Sequence, residues 1–154
     1  MKTVHVDQMV VGWDRFTIYE KLKDGESYKQ HAPEHVKSVL MESTDDPHTM
    51  LSHWELYFRN GLLEWSERDH YDEENTTLRF EQIDGDFDEF HGSWEVSPVP
   101  DPAEEPTVRV RFTATFDFGV PSVEAMIEPV AAKLLEESVS RIITELFSGS
   151  GSAV

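Results

Sequence analysis

Residues 49–72 have the sequence TMLSHWELYFRNGLLEWSERDHYD, in which two strand-like runs flank the dipeptide Asn60-Gly61. Asn-Gly is the strongest short hairpin signal, because a type I′ turn requires positive φ at both of its central residues. A two-residue loop at this dipeptide predicts that Arg59 pairs with Leu62. The same register places further residues opposite one another: Phe58 with Leu63, Leu56 with Trp65, Trp54 with Glu67, and Ser52 with Asp69.

Successive side chains of a strand point to opposite faces of a sheet, so this hairpin has two distinct faces. One face carries large apolar side chains together with two carboxylates: Ser52, Trp54, Leu56, Phe58, Leu63, Trp65, Glu67 and Asp69. The other face carries mainly polar side chains: His53, Glu55, Tyr57, Arg59, Leu62, Glu64, Ser66 and Arg68. The first face is the more apolar and is therefore predicted to point toward the core.

The rest of the chain supplies the other elements of an α+β fold. Alternation and helical spacing predict strands at 3–11, 35–43, 76–83, 86–97 and 108–118, short helices at 14–22 and 26–30, and a long helix at 121–147. Asp14 is the expected N-cap of the first helix. Together with the hairpin, these elements predict a curved antiparallel sheet of about seven strands that wraps around the long C-terminal helix, with two short helices after the first strand. Space between the sheet and the long helix would form a cavity.

The long helix carries an apolar stripe at helical spacing, formed by Val123, Met126, Ile127, Val130, Leu134, Leu135, Val139, Ile142 and Leu146. Its first part, with Met126 and Val130, is predicted to form one wall of the cavity. Pro129 lies within the helix and is expected to kink it. Residues 1–147 are predicted to form a single domain, with an exposed proline-rich, acidic loop near 98–106. Residues 148–154 are rich in Ser and Gly and predict a flexible tail.

The charge balance narrows the possible partners. The chain has 13 Lys+Arg against 31 Asp+Glu, a formal net charge of −18. Such a field repels phosphate backbones and anionic lipid headgroups, so neither nucleic acid nor a membrane surface is expected as a partner. No apolar run approaches the roughly 20 residues of a membrane helix, and no signal peptide is apparent, so a cytoplasmic protein is expected. The absence of cysteine excludes disulfides, thiolate nucleophiles and cysteine-bound metal sites.

Glu67 and Asp69 are the candidate catalytic residues, because they lie two residues apart on the predicted inward face. Burial raises the pKa of a carboxyl group, and a second carboxylate nearby raises one of the two further. Trp54 opposite Glu67 would exclude water from that carboxyl, while Ser52 and solvent would keep Asp69 ionised. Glu67 would then be the proton donor, and Asp69 the base or electrostatic partner, in cyclisation or dehydration of a β-ketone. The alternative interpretation is that both carboxylates are solvated charges at the cavity mouth.

A set of inward-facing residues is predicted to bind a substrate or, alternatively, to be ordinary core: Ser52, Trp54, Leu56, Trp65, Phe90, Trp94, Phe112, Phe116, Met126 and Val130. Arg79 belongs to this set only if a bulge near Asp84-Gly85 turns it inward, where it could polarise a carbonyl.

No metal or other cofactor is predicted. His31 and His35 are four residues apart, but Pro33 between them interrupts a helical ligand pair. A calcium-loop-like run begins at Asp84, yet Glu89 stands at the sixth position, where glycine is required.

Three stretches of the sequence resemble a known family: Leu63–Glu67, Phe80–Phe87 with Gly92–Trp94, and Phe116–Pro121. With the order of elements from about Val4 to Phe147, they are similar to the START-like helix-grip (SRPBCC) superfamily. This superfamily includes polyketide aromatase/cyclases, coenzyme Q-binding proteins and plant allergen-like lipid binders. The motifs resemble most its bacterial polyketide cyclase/dehydrase branch.

The resemblance implies a protein that folds a poly-β-ketone in its cavity and promotes cyclisation and dehydration, with an acyl carrier protein or polyketide synthase as partner. The best-studied aromatase/cyclases are associated with an arginine on the strand that carries the Glu-Trp pair. The matching position here is Asp69, and Arg68 falls on the opposite face. Either a different acid–base pair operates, or the protein is a carrier of a quinone, lipid or similar hydrophobic molecule. A module that binds a basic partner through its acidic face is a third possibility, and a monomer and a homodimer both stay open.

Overall fold

The computed structural model describes residues 1–58, 61–99, 107–119 and 121–147, with only the backbone for 121–126. The elements in chain order are β1 (Lys2–Val11), α1 (Arg15–Lys23), a 3₁₀ turn (Gly25–Ser27), α2 (Tyr28–His31), β2 (Val36–Ser43), β3 (Thr49–Phe58), β4 (Gly61–Asp72), β5 (Thr77–Gly85), β6 (Glu89–Pro98), β7 (Thr107–Asp117) and α3 (Pro121–Leu146). This order confirms the helix-grip architecture that the sequence predicts. Most of the predicted proline-rich loop and the predicted tail at 148–154 lie outside the described residues.

All seven strands form one antiparallel sheet in the order β1-β7-β6-β5-β4-β3-β2. Each strand after β2 pairs with its neighbour in the chain, and β1 closes against β7, so β1 and β2 are the two edges. The long helix α3 packs chiefly on β1 and α2. Alternate residues of β4 to β7 point inward and form a continuous aromatic face: Trp65, Phe80, Phe90, Trp94, Phe112 and Phe116.

Helix α1 begins as its sequence predicts. The Asp14 side chain accepts hydrogen bonds from the backbone N–H groups of Phe16 and Thr17, each at 3.0 Å, which satisfies two of the unpaired donors of the first turn. Tyr19 and Leu22 of this helix are buried, whereas Phe16 is 52% exposed.

The register of the β3–β4 hairpin differs from the prediction by two residues. Phe58 pairs with Gly61, so Trp54 faces Trp65 and Ser52 faces Glu67. Because side chains alternate with a period of two, a two-residue shift keeps every inward residue inward. The observed register places the rings of Trp54 and Trp65 in a parallel stack, with centroids 5.6 Å apart and planes 2° apart. The loop residues 59 and 60 lie outside the described part of the chain.

The face of α3 that covers the sheet also differs from the prediction. Val130 is 37% exposed and Leu134 is half-buried, whereas Leu135, Val139 and Ile142 are buried. At 3.6 residues per turn, Val130 lies about 140° around the helix from Leu135, so the apolar arc is wider than the part that meets the sheet. Met126, predicted to face the cavity, lies among the residues whose side chains are not described. The helix continues through Pro129.

Gly92 occupies a position at which the surrounding atoms leave no space for a side chain. A Cβ atom at this position of β6 would lie 1.9 Å from the carbonyl oxygen of Thr113 and 2.7 Å from Cζ of Phe80. A Cβ at Gly61 would meet its nearest neighbour, the carbonyl oxygen of Phe58, only at 3.8 Å.

We therefore expect Gly92→Ala to destabilise the fold by about 3 kcal/mol or more, because overpacking a filled site forces backbone shifts. Gly61→Ala is the matched control and should change stability by less than about 1 kcal/mol. Urea denaturation followed by tryptophan fluorescence measures both values. Equal midpoints for the two variants would contradict the close approach at Gly92.

Candidate active site

A cavity of about 40 Å³ lies between the concave face of the sheet and α3. The sheet and α2 contribute most of its lining, and the helix covers it with one polar and three aliphatic side chains. The lining residues are Tyr28, Trp54, Leu56, Trp65, Glu67, Phe80, Phe90, Trp94, Phe112, Leu135, Ser138, Val139 and Ile142. Glu67 has the only carboxyl group among these lining residues, and this group faces an almost wholly apolar space.

Aromatic rings hold the walls of this cavity in place. Trp54 and Trp65 stack on one side, and Phe80 stacks on Phe112 at 5.6 Å on the other. The ring of Trp94 meets Phe112 edge to face at 4.9 Å. Offset stacks and edge-to-face contacts are the favoured arrangements of aromatic pairs, so the walls are mutually supported.

Glu67 and Asp69 occupy successive inward positions of β4 and are 5% and 4% exposed. The indole Nε1 of Trp65 donates a 2.7 Å hydrogen bond to Glu67 Oε1. The hydroxyl of Ser52 donates a 2.6 Å hydrogen bond to Asp69 Oδ2, and Trp54 Nε1 donates to the same Ser52 oxygen at 2.9 Å. Two tryptophans that line the cavity therefore also anchor the carboxyl pair, one directly and one through Ser52.

Burial raises the pKa of both carboxyl groups. The negative charge of Asp69 and a hydrogen bond between the two groups raise the pKa of Glu67 further, and it lies well above its usual range. The same hydrogen bond, together with that from Ser52, lowers the pKa of Asp69 and partly offsets its burial. The causes together favour the neutral form of Glu67 over that of Asp69.

These positions correct two details of the prediction. The residue opposite Glu67 is Ser52 rather than Trp54, and Asp69 is buried rather than solvated. Hydrogen bonds, not water, favour the ionised form of Asp69. The alternative interpretation, that both groups are solvated charges at the cavity mouth, is wrong because both side chains are buried. Asp69 does not line the cavity between the sheet and α3, so Glu67 is the member of the pair that faces it.

The other predicted binding residues fall into three groups. Leu56, Phe90, Trp94 and Phe112 line the cavity beside Trp54 and Trp65, whereas Ser52 and Phe116 are buried behind its wall. Val130 is exposed, and the prediction that it faces the cavity is wrong.

Arg79 is also on the outer surface, since Leu78 and Phe80 on either side of it are buried. The β4–β5 irregularity lies between Ser66 and Glu67, beyond Arg79, so it does not turn this side chain inward.

Some lining residues were not among the predicted site. Phe80 follows from alternation in β5, a signal that the sequence contains. Tyr28 lies in a helix of four residues with no periodicity to read, and its hydroxyl donates a hydrogen bond to the Leu22 carbonyl. Ser138 and Val139 depend on how α3 is rotated over the sheet, which the wide apolar arc does not specify.

No group of three or more His, Asp or Glu side chains in the described part of the chain is arranged to hold a metal ion. Among the described residues, none of the helices is long and apolar enough to cross a membrane.

The family model for polyketide cyclase/dehydrase and lipid transport proteins matches residues 15–143. The chain therefore belongs to this family, as the three sequence motifs indicate. No curated protein sequence matches the chain.

Solved structures share the fold over nearly the whole of both chains. The protein TTHA0849 of Thermus thermophilus has a TM-score of 0.79 at 24% identity, covering 96% of this chain and 95% of its own. An aromatase/cyclase named Zhui, from a Streptomyces species, has a TM-score of 0.58 at 14% identity, with 97% and 99% covered. A START superfamily protein of Mycobacterium smegmatis has a TM-score of 0.65 at 17% identity, with 95% and 94% covered. These likenesses establish the fold.

The raised pKa of Glu67 predicts how stability depends on pH. Above the usual carboxyl pKa, about 4.5 for glutamate, the unfolded chain releases a proton that the folded protein retains. The free energy of unfolding should therefore fall as pH rises toward the folded pKa, by up to about 1.4 kcal/mol per pH unit. Glu67→Gln removes this contribution, so the difference between wild type and variant should shift in favour of the variant as pH rises.

Urea titrations between pH 5 and 8 measure this difference. Glu95→Gln, at an exposed position of β6, is the control and should follow the wild-type curve. Parallel curves for wild type and Glu67→Gln would show that Glu67 is ionised in the folded protein.

Proposed function

We propose that this protein binds a hydrophobic ketone, either a poly-β-ketone or a related compound, in the central cavity and catalyses proton transfer on it through Glu67. The observation that carries the proposal is the buried carboxyl pair, in which one member faces an apolar cavity and the other lies behind it. Enolisation and dehydration of a β-ketone need a group that both takes and returns a proton. A polyketone forms an aromatic ring when the enol carbon adds to a second carbonyl group of the same chain, which forms the C–C bond and turns that carbonyl into a hydroxyl group, and dehydration then removes the hydroxyl group.

The pair can supply both functions without a net change of protonation. The proton favoured on Glu67 first crosses the hydrogen bond to Asp69, which leaves Glu67 as a carboxylate that can take the α-proton of the ketone. The C–H electron pair forms the new C=C bond, and the C=O π pair moves to oxygen. Glu67 then returns the proton to that oxygen to give the enol, or to a departing hydroxide to give water. Asp69 acts through Glu67 and positions the shared proton.

The surroundings of the carboxyl pair favour proton transfer to and from a bound ketone. The apolar walls strengthen the electrostatic interactions at the carboxyl pair, and Trp65 fixes the orientation of Glu67 with one hydrogen bond. The stacked rings of Trp54 and Trp65 offer a planar surface to an extended conjugated ligand. In the aromatase/cyclases that the sequence resembles, an arginine occupies the position that matches Asp69. We therefore assign the acid–base role to the Glu67–Asp69 pair rather than to an arginine.

The second candidate function is that of a carrier for a quinone, lipid or similar molecule. The cavity's apolar lining favours it, since thirteen residues line the space and Glu67 alone among them bears a carboxyl group. Its volume of about 40 Å³ is far below the roughly 300 Å³ of a typical ligand pocket. Either function therefore requires the side chains of α3 to move when a ligand enters.

The Glu67→Gln variant distinguishes an enzyme from a carrier, because an enzyme would lose proton transfer and keep ligand binding. Deuterium incorporation at the central carbon of a small β-diketone in D₂O, followed by proton NMR, reports proton abstraction directly. Quenching of tryptophan fluorescence by the same compound reports binding. We expect Glu67→Gln to lower the exchange rate at least 100-fold, the scale of general acid–base catalysis, with binding changed less than threefold. Glu95→Gln is the control, and equal exchange rates in the wild type and both variants would leave only a carrier.

The position of the binding cavity is tested by filling it. Val139→Phe adds volume beneath α3, where Val139 lines the cavity, and should weaken ligand binding at least tenfold. Val130→Phe makes the same change at an exposed position of the same helix and should leave binding unchanged. Overpacking costs about 1–3 kcal/mol, so thermal unfolding is measured for both variants. Binding that resists Val139→Phe would place the ligand elsewhere.

A further inference from the structure

A second, smaller pocket lies behind the carboxyl pair, on the side away from α3. Its volume is about 20 Å³. The lining residues are Leu22, Lys23, Gly25, Tyr28, Met41, Ser52, Trp54, Glu67, Asp69, Tyr71, Leu78 and Trp94. Glu67 lines both this pocket and the main cavity, whereas Asp69 lines this pocket alone. Tyr28, Trp54 and Trp94 also line both spaces, so these three rings and the carboxyl pair together separate them. We call the two spaces the main cavity and the back pocket.

Asp69, which lines the back pocket, has a buried oxygen with acceptor capacity left over. Its Oδ2 atom accepts the hydrogen bond from Ser52. Besides the Glu67 carboxyl group, with which Asp69 shares a hydrogen bond, no donor among the described residues reaches Oδ1. A buried carboxylate oxygen with an unfilled lone pair is unfavourable, and such atoms are commonly satisfied by an internal water. One water needs roughly 10–15 Å³, so the back pocket has room for a single molecule.

The polar side chains of this pocket lead toward the surface. Lys23 is 21% exposed in its side chain, and its Nζ is held by Glu73 Oε1 at 2.6 Å. The same Nζ lies 4.8 Å from the centre of the Tyr71 ring, and Tyr71 is half-buried. Lys23, Tyr71, Met41 of β2 and Trp54 are the half-buried lining residues, and the other lining residues are buried.

Four titratable side chains besides Asp69 line this pocket: Lys23, Tyr28, Glu67 and Tyr71. Tyr28 and Tyr71 have pKa values raised by burial and by the neighbouring carboxylates, and they remain protonated hydroxyl groups. Lys23 is already paired with Glu73. Asp69 is therefore the group that can accept a proton arriving from the Lys23–Tyr71 side, and Glu67 is next to it.

We propose that the back pocket is a proton entrance: a water bound at Asp69 Oδ1 exchanges protons between the carboxyl pair and solvent without passing through the main cavity. This proposal rests on the proposed function of Glu67 and extends it. A bound ligand would close the main cavity to water, and the pair would still equilibrate its proton through Asp69. The proton that Glu67 takes from the ligand could then be replaced by one from solvent while the ligand stays bound.

The exchange can be measured without any ligand. The carbonyl stretch of a protonated carboxyl group shifts on deuteration, so rapid mixing into D₂O with infrared detection gives the exchange rate of the buried proton. The band is assigned by its loss in Glu67→Gln. Met41→Phe narrows the back pocket and should slow this exchange at least tenfold. Leu40→Phe makes the same size of change on the outward, exposed face of the same strand and should exchange at the wild-type rate.

Val139→Phe fills the main cavity and should leave the exchange rate within twofold of wild type. Slow exchange in Val139→Phe combined with a wild-type rate in folded Met41→Phe would show that the proton uses the main cavity and would overturn the proposal. Should Met41→Phe fail to fold, Tyr71→Trp narrows the pocket from the opposite side and is judged by the same criterion. Absence of a protonated carboxyl band at neutral pH in the wild type would also overturn it.

The outcome is independent of whether the protein proves to be an enzyme. Slowed exchange in Met41→Phe, with no deuteration of the diketone by the wild type, would retain the proton entrance and remove the catalytic proposal. Loss of diketone deuteration in Glu67→Gln, with exchange in Met41→Phe equal to wild type, would remove the entrance alone.

Discussion

Two carboxyl groups are buried at successive inward positions of β4, and the side chains at the centre of the molecule are arranged to satisfy them. An ionised carboxylate in an apolar interior is unfavourable by several kcal/mol unless it is paired or hydrogen-bonded. The fold meets this cost with hydrogen bonds from Ser52 and Trp65, with Trp54 donating to Ser52 in turn, and with a raised pKa that favours the neutral form of Glu67. The tryptophans therefore have two roles, because the rings that form the cavity wall also carry the N–H groups that hold the pair.

The same pair lies between two compartments. The main cavity beneath α3 is lined mostly by apolar side chains, whereas the lining of the back pocket is mixed and includes Lys23 and Tyr71. In the scheme that we propose, a ligand reaches Glu67 from the main cavity and a proton reaches Asp69 from the back pocket. Family membership supplies the cavity but leaves its chemistry open, since the same fold carries cyclases and lipid carriers.

The abundant surface acidity is a separate feature from the buried pair. The strongly negative chain carries few basic residues, and several of them are paired with acids across the outer face of the sheet. Arg109 and Arg111 both approach Asp7 at 3.3 Å, and Arg68 lies 3.5 Å from Glu81. Exposed pairs of this kind contribute about 0–1 kcal/mol each. The outer charge thus keeps the surface strongly hydrated, while the inner charge is controlled by desolvation.

Local sequence determined the order of elements, the N-cap at Asp14 and the inward face of β4, because alternation and capping depend on residues only a few positions apart. It therefore placed Glu67 and Asp69 together on the concave side. Tertiary structure alone decided that Trp54 stacks on Trp65, that Asp69 is buried, and which arc of α3 closes the cavity. A two-residue register shift and a rotation of a broadly apolar helix both preserve the local pattern. Only packing against distant elements, such as the short helix that carries Tyr28, selects among those alternatives.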